Sequence, residues 1–394
     1  MKRIFFLLAA TALLTSCSNK GAVEIIVENT LGFDRSGEMV EACTEETNID
    51  FNAKTYVLKD GQGVETAYQL LSNGKGTFIF QANVPANSSV TYTLTEGTPA
   101  PVAPKTNARF VPERKDDFSW ENDLAAYRMY GPALARENPS NGVDIWLKCT
   151  EGLIADSLYA GELERHVSYH ENRGFGLDCY DVKHTAGAGG IAPYTDKFWV
   201  GDRYDRYEVI ENGPLRSVFT LSYDSAIVEG EVFRETITIT ADAGSMLNKG
   251  VVRYTGPAKP IKLAAGLTLH KERGQTFSDA AHKVIGYAEN AVSEIKRIPQ
   301  GRSYVGAYMP EATGETPEDG THLLILGNYT VGTDFTYYFG GGWSQWKFPT
   351  DADWFNGLKH FSQAKEAPLK VTVLTGGFAS DFKAGYNAAG GNKK

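Results

Sequence analysis

The chain has 394 residues, a formal net charge of −9, and 41 glycines, 20 tyrosines and 20 phenylalanines. The acidic balance argues against nucleic acid as a partner, since that needs a basic face, but a few local arginines can still hold an anionic sugar inside an acidic shell. Abundant Tyr, Phe and Gly favour strands and turns over helices.

The N-terminus is a targeting segment. Met1-Lys2-Arg3 is a basic start, Ile4 to Leu14 is apolar, and Leu14-Thr15-Ser16-Cys17 is a lipobox. Residues 1–17 therefore predict a lipoprotein signal whose Cys17 thiol takes a lipid and becomes the new N-terminus. No later apolar run has membrane-spanning length, so membrane contact is expected through the lipid anchor only. Ser18-Asn19-Lys20 carries no acidic run, and the expected location is the cell envelope, facing the periplasm. Cys43, Cys149 and Cys179 remain, enough for one disulfide, with Cys149–Cys179 as a candidate pair.

Strands dominate the mature chain. Val23 to Val27, Glu38 to Ala42, Thr55 to Leu58, Thr77 to Phe80 and Ser89 to Leu94 alternate or cluster apolar residues, with Asp60-Gly61-Gln62-Gly63 as a turn. Residues 18–97 thus predict a small N-terminal β-sandwich. Thr98-Pro99-Ala100-Pro101-Val102-Ala103-Pro104 marks a stiff linker over 98–108. Beyond it, Val143 to Leu147, Leu215 to Tyr223, Phe233 to Thr240, Ile261 to Leu269, Leu323 to Leu326 and Leu369 to Leu374 carry further strands. Short helices are predicted near Asp156 to Glu164 and Asp351 to Phe361. The fold class is all-β: the small sandwich plus a large antiparallel β-supersandwich over 109–386, then a disordered tail at 387–394.

The densest polar stretch outside a strand runs from His166 to Thr195. It holds His166, His170 and His184 among glycines that let backbone approach a ligand, and a long loop of this kind is usually a site or a lid. His170, His184 and Tyr194 are candidates to take and give protons near neutral pH. A divalent metal held by His166 and His170 on one helix face, with Asp178, is the alternative; otherwise no cofactor is expected. The same histidines would equally serve a hydrogen-bonded structural loop. Arg173, Arg206 and Arg216 are candidates to bind carboxylate or sulfate, although salt bridges with Asp202, Asp205 and Glu208 would account for the strand arginines. Trp120 and Trp343 are candidates to flank a sugar ring, with Gly340-Gly341-Gly342 letting a flat ligand approach; core packing explains buried aromatics as well. No Gly-x-Ser-x-Gly elbow and no phosphate-binding glycine loop is present.

Several of these motifs together resemble a known family. Phe110-Val-Pro-Glu-Arg-Lys-Asp-Asp-Phe118-Ser-Trp120-Glu-Asn-Asp123, Tyr127-Arg-Met-Tyr-Gly-Pro132, Tyr169-His170-Glu171, Gly176-Leu-Asp178-Cys-Tyr180, Gly189-Gly-Ile191 and Gly341-Gly-Trp343-Ser resemble envelope lipoproteins grouped as domain of unknown function 4861. The resemblance covers nearly the whole mature chain. It implies a galactose-mutarotase-like supersandwich and an oligosaccharide substrate. It also implies a dehydratase or lyase that eliminates water across C4–C5 of a non-reducing-end uronate, as in ulvan breakdown. A mutarotase-like epimerase or hydrolase, and a non-catalytic glycan-binding lipoprotein, are the competing readings, because fold does not fix reaction.

Overall fold

The computed structural model describes residues 22–74, 76–135, 141–270 and 274–375. The lipobox with Cys17 and the tail at 387–394 lie outside the described residues. The architecture is all-β, with every strand pair in its sheets antiparallel.

The first unit is a sandwich of two small sheets. One is ordered Lys370–Thr375, Val23–Asn29, Ser88–Glu96, Tyr56–Lys59; the other is Arg35–Cys43, Thr77–Val84, Tyr68–Leu70. Period-two alternation puts Val23, Ile25 and Val27 inside while Glu24 and Glu28 face solvent, and these pack with Phe78, Phe80, Tyr92 and Leu94. The strand Lys370–Thr375 differs from expectation. It joins the edge of this sandwich rather than the 109–386 unit, because Leu369, Val371 and Val373 pack on the first core.

The second unit sets an eight-stranded sheet against a five-stranded and a three-stranded sheet. The eight run in the order Arg206–Asn212, Arg216–Val228, Glu231–Asp242, Asn248–Thr255, Phe335–Trp343, Pro299–Tyr308, Val284–Val292, Gln275–Asp279. The five are Gly176–Asp178, Asp144–Lys148, Ala125–Met129, Asp117–Glu121 and Asn107–Val111; the three are Ala188–Tyr194, Ile261–Thr268 and His322–Tyr329. Phe118, Trp120 and Tyr127 from the five-stranded sheet meet Phe219, Ile237 and Ile239 from the eight-stranded one in a shared core. Trp120 is 1% exposed and donates Nε1–H to Asn248, and Trp343 is 0% exposed and donates to the Gln300 carbonyl. Both are therefore core residues and cannot flank a sugar. The glycines beside Trp343 serve packing too. A Cβ at Gly341 would lie 2.2 Å from the Tyr304 carbonyl oxygen, and one at Gly340 2.8 Å from that of Met246.

The two units are joined by side chains as well as by the linker. Ile79 packs with Leu215 and Ala243, and the Gln69 amide oxygen accepts from the backbone N–H of Leu215 and Arg216 at 2.9 and 2.8 Å. The Arg216 guanidinium forks onto Asp242 at 2.6 and 2.9 Å and reaches Glu41 at 3.2 Å. It bridges the units rather than awaiting a substrate anion.

Two helices cover outer faces. Helix α1 (Ala155–Arg165) packs Ile154, Leu158 and Tyr159 onto Trp146 of the five-stranded sheet. Helix α2 (Asp351–Glu366), opened by a Thr350–Asp353 capping box, buries Trp354, Phe355 and Leu358 against the eight-stranded sheet. The described cysteines form no disulfide. Leu147 lies opposite Leu177, and Cys149 bonds the backbone opposite Phe175. Cys149 and Cys179 are thus four register steps apart, roughly 13 Å at the strand rise, beyond disulfide reach.

Candidate functional site

With the core on one side of the five-stranded sheet, the alternate residues of its strands point the other way, and charged side chains stand among apolar ones there. Asp117 and Glu121, Arg128, Asp144 and Lys148, and Asp178 all face outward and all are buried. Arg128, 3% exposed, is held by Asp144 at 2.6 and 2.9 Å and by Asp178 at 3.0 Å, with Asp117 at 3.6 Å. Its ion lies over the rings of Tyr130 and Trp146 at 4.7 and 5.1 Å. Burial pushes the carboxyls of Asp117, Asp144 and Asp178 upward against the pull of Arg128, and Asp144 further raises Asp178.

Tyr169 joins this cluster to a second arginine. Its hydroxyl accepts from Arg128 Nη1 and Arg114 Nε, both at 3.2 Å. A tyrosine oxygen has two acceptor positions and one proton. With both acceptor positions filled, the proton can only be donated outward. Arg114 is half-buried, and among the described residues this is its one hydrogen bond, so the outer edge of its guanidinium is left for a ligand.

His170 stands beside this cluster, its ring edge-on to Tyr169 with centroids 4.6 Å apart. Nδ1 lies 3.2 Å from the Asp178 carbonyl, 3.4 Å from Glu294 and 3.6 Å from the Asp178 carboxylate. A carbonyl oxygen only accepts, so Nδ1 carries a proton, and Nε2 is the ring nitrogen through which His170 can exchange one. The neighbouring motif residues hold this geometry. Glu171 accepts from the backbone N–H of Ile295 and Lys296 at 3.1 and 2.7 Å, and Asn172 donates to Gln300 at 2.8 Å. Gly176 is required because a Cβ there would fall 2.4 Å from the Leu147 carbonyl oxygen.

The remaining histidines are set apart by their partners. His270 faces Glu289 with Nδ1 at 2.7 Å and the Asp181 carbonyl with Nε2 at 2.7 Å. Burial pulls this imidazole's pKa down, but Glu289 and the carbonyl raise it overall. With acceptors on both sides it is a cation with no free nitrogen. His322 bonds Asp319 and accepts from the Ala186 backbone N–H at 3.1 Å, His282 pairs with Asp279, and His360 stacks on Phe33. His166 does not share a helix face with His170, since α1 ends at Arg165 and His166 caps it with φ 54°. No group of three His, Cys, Asp or Glu side chains among the described residues is arranged to hold a metal ion.

The structure thus brings together only one of the expected site residues with new partners. His184 is exposed and lines a separate cleft. Tyr194 packs beside Phe198 and Ala192. Arg173 folds back onto the Ser168 carbonyl at 2.8 and 3.1 Å, and exposed Arg206 pairs with Asp224. These two arginines are occupied by local partners because each sits beside an acceptor of its own loop or sheet edge. Arg114, Arg128, Tyr130, Asp144, Tyr169 and Glu294 were missed. The available signal was paired charge four positions apart on one face of short strands whose other face is apolar, Asp117 with Glu121 and Asp144 with Lys148.

Residues 27–371 match the model of the family described as domain of unknown function DUF4861. The chain belongs to this family. Residues 1–18 also match the prokaryotic membrane lipoprotein lipid attachment site, so the protein is lipid-anchored in the envelope. No helix among the described residues is long and apolar enough to cross a membrane. A curated relative from Formosa agariphila, Uncharacterized protein P7, is 28% identical over 95% of this chain and 100% of its own length. Among solved structures, a protein in the glycosyl hydrolase family 38 from Enterococcus faecalis is similar with TM-score 0.46 and 10% identity over 90% of this chain and 47% of its own. An alpha-mannosidase from Enterococcus faecalis V583 gives 0.43 and 10% over 90% and 46%. The chain spans about half the length of these two structures.

Proposed function

We propose that this lipoprotein is a carbon–oxygen lyase that eliminates water across C4–C5 of a uronate at the non-reducing end of an oligosaccharide. One observation carries the reading: beside His170, with one ring nitrogen tied down, stands Tyr169, whose hydroxyl is filled by two guanidinium donors. Elimination needs a base, an acid and a cation for the carboxylate, and this cluster supplies each.

The outer edge of Arg114 would take the uronate carboxylate and stabilise the negative charge that develops on it. His170 Nε2 would remove the C5 proton. The electron pair forms the C4=C5 bond, the C4–O bond breaks, and Tyr169 gives its proton to the departing oxygen, which leaves as water. The phenolate so formed is held between Arg114 and Arg128 until it regains a proton. Tyr169 is 3% exposed and packs edge-on against half-buried His170, a confined pair that suits a chain end better than an internal sugar. Such a product absorbs in the ultraviolet through its conjugated enoate.

The test is to incubate the unlipidated protein with oligosaccharides ending in a non-reducing uronate, recording absorbance and product mass. New absorbance with loss of one water supports the reading. Absorbance with chain cleavage would make the enzyme a polysaccharide-type lyase, and no change across a broad uronate panel would exclude elimination and leave a glycan-binding role.

A further inference from the structure

The membrane tether is short. Cys17, the residue that takes the lipid, stands six positions before Val23, where the first strand Val23–Asn29 begins. Six steps of chain reach at most about 22 Å in any conformation, roughly the length of that strand itself. The lipid therefore fixes which end of the first sandwich stands at the bilayer. Val23 lies opposite Leu94 and Thr375, so the ends of Ser88–Glu96 and Lys370–Thr375 emerge beside it. Arg35–Cys43 follows Val23–Asn29 after a turn, which brings Cys43 and its partner Thr77 back to the same end. Segments 44–55 and 71–76 cap this end, where Glu45, Glu46, Asn52, Lys54 and Asn73 are exposed. Such side chains suit lipid headgroups and their water, because polar groups are costly to place among acyl chains.

The second unit is docked so that its large sheet climbs away from that end. Strand Thr77–Val84 runs from the tethered end to the far one, and the second unit meets it in strand order. Glu211 of Arg206–Asn212 accepts from the Ser72 backbone N–H at 2.6 Å, next to Leu71, which bonds Thr77. Leu215 and Ala243 pack on Ile79. Gly244 comes up against Gln81, where a Cβ would lie 2.6 Å from the amide nitrogen. Arg35, opposite Val84, bonds the Ala364 and Ala367 carbonyls at the end of α2 at 3.2 and 3.1 Å. The eight-stranded sheet thus starts with Arg206–Asn212 near the bilayer. Pro299–Tyr308 and Val284–Val292 stand five and six strands further on, roughly 24–29 Å at the spacing between strands. The turn after Val292 carries Glu294 beside His170. Asp178 lies on the edge of the five-stranded sheet remote from Asn107–Val111, whose Ala108 bonds Asn212.

We propose that the end of the first sandwich capped by 44–55 and 71–76 faces the headgroup surface of the bilayer, and that the short tether holds the molecule upright there with His170 on the side away from the membrane. A soluble oligosaccharide then reaches His170 without competing with the lipid surface. The membrane-facing end follows from the tether and the strand order; only the role of the outward side rests on the elimination reading.

Energy transfer to an acceptor on lipid headgroups tests this, with the full-length acylated protein in vesicles of phosphatidylethanolamine and phosphatidylglycerol. The donor is attached at Asn52→Cys or at Ile295→Cys, both exposed positions, in a Cys43→Ser, Cys149→Ser background whose own signal is the blank. Each variant is checked by circular dichroism. Severalfold stronger transfer from position 52 than from position 295 is expected. A long Gly-Ser insert after Lys20 should abolish that difference while the protein stays anchored. Equal transfer from the two positions, stronger transfer from 295, or a difference that survives the insert would each overturn the proposal. None of these readouts involves turnover, so failure of the elimination reading leaves them unchanged, and their failure leaves that reading in place.

Discussion

Arg128 is one guanidinium among three buried carboxyls, and its neighbours cannot be satisfied without it. Asp144 already has one carboxylate oxygen, Oδ1, with no hydrogen bond. Removing the cation would leave Asp144 and Asp178 in low dielectric with no counter-charge, a loss of about 3–5 kcal/mol for a broken buried pair. Arg128→Met, which keeps much of the volume, is therefore expected to lower unfolding free energy by about that amount in urea. Replacing Arg128, Asp144 and Asp178 together by apolar residues should restore most of it while abolishing activity. A single variant that unfolds like wild type would show that the cluster is solvated in solution. Residue chemistry of this kind is only half legible in sequence. His170 is visible as a histidine in a glycine-rich loop, but the carbonyl that settles its tautomer belongs to Asp178, eight residues on, and is brought there by strand pairing.

At the scale of elements, α1 is held by a strand. Its N-cap residue, Ile154, has no side chain to receive the first N–H groups, and those donors go instead to Glu121. The carboxylate accepts from Ile154 at 2.9 and 3.1 Å and from Ala155 at 2.9 Å, while Lys148 balances it at 3.0 Å. A carboxylate at this end also meets the positive pole of the helix. Glu121→Gln keeps the shape but loses one acceptor and leaves buried Lys148 without its counter-charge, and should cost about 3–5 kcal/mol. Faster amide exchange confined to residues 155–165 would locate the effect; exchange accelerated uniformly over both units would contradict this role. The helix itself was predictable from sequence near Asp156 to Glu164, and α2 likewise, because each carries apolar residues at helical spacing. The cap was not, since it comes from a strand 33 residues earlier.

Across the whole molecule, buried carboxyls make stability depend on pH. Glu235 titrates near 7 in the folded state because burial disfavours its ionised form, while an unfolded glutamate titrates near 4.3. Its contribution is fully present below the unfolded value and is lost as pH rises through the folded one, a drop of roughly 3–4 kcal/mol between about pH 4.5 and 7. Asp144 and Asp178, also raised by burial, act in the same direction. The stability of Glu235→Gln relative to wild type is expected to improve by about that amount from pH 4.5 to above 7; a gap that does not change with pH would contradict it. The all-β class was legible in the alternating runs. The return of Lys370–Thr375 to the first sandwich was not, because an isolated Val-rich strand carries no record of which sheet edge it will find. The same holds for Trp120 and Trp343, whose sequence neighbours suit a sugar platform as well as a core, and only the facing sheet decides between them.

In the proposed elimination, proton transfer belongs to His170 and Tyr169. Initial rates of enoate formation from a uronate-ended oligosaccharide should be compared for wild type, His170→Gln and Tyr169→Phe, each checked for native circular dichroism. Loss of about 10²–10⁴ in kcat for either variant, without a matching loss of substrate binding, is the expected result. Wild-type kcat in both folded variants would contradict it.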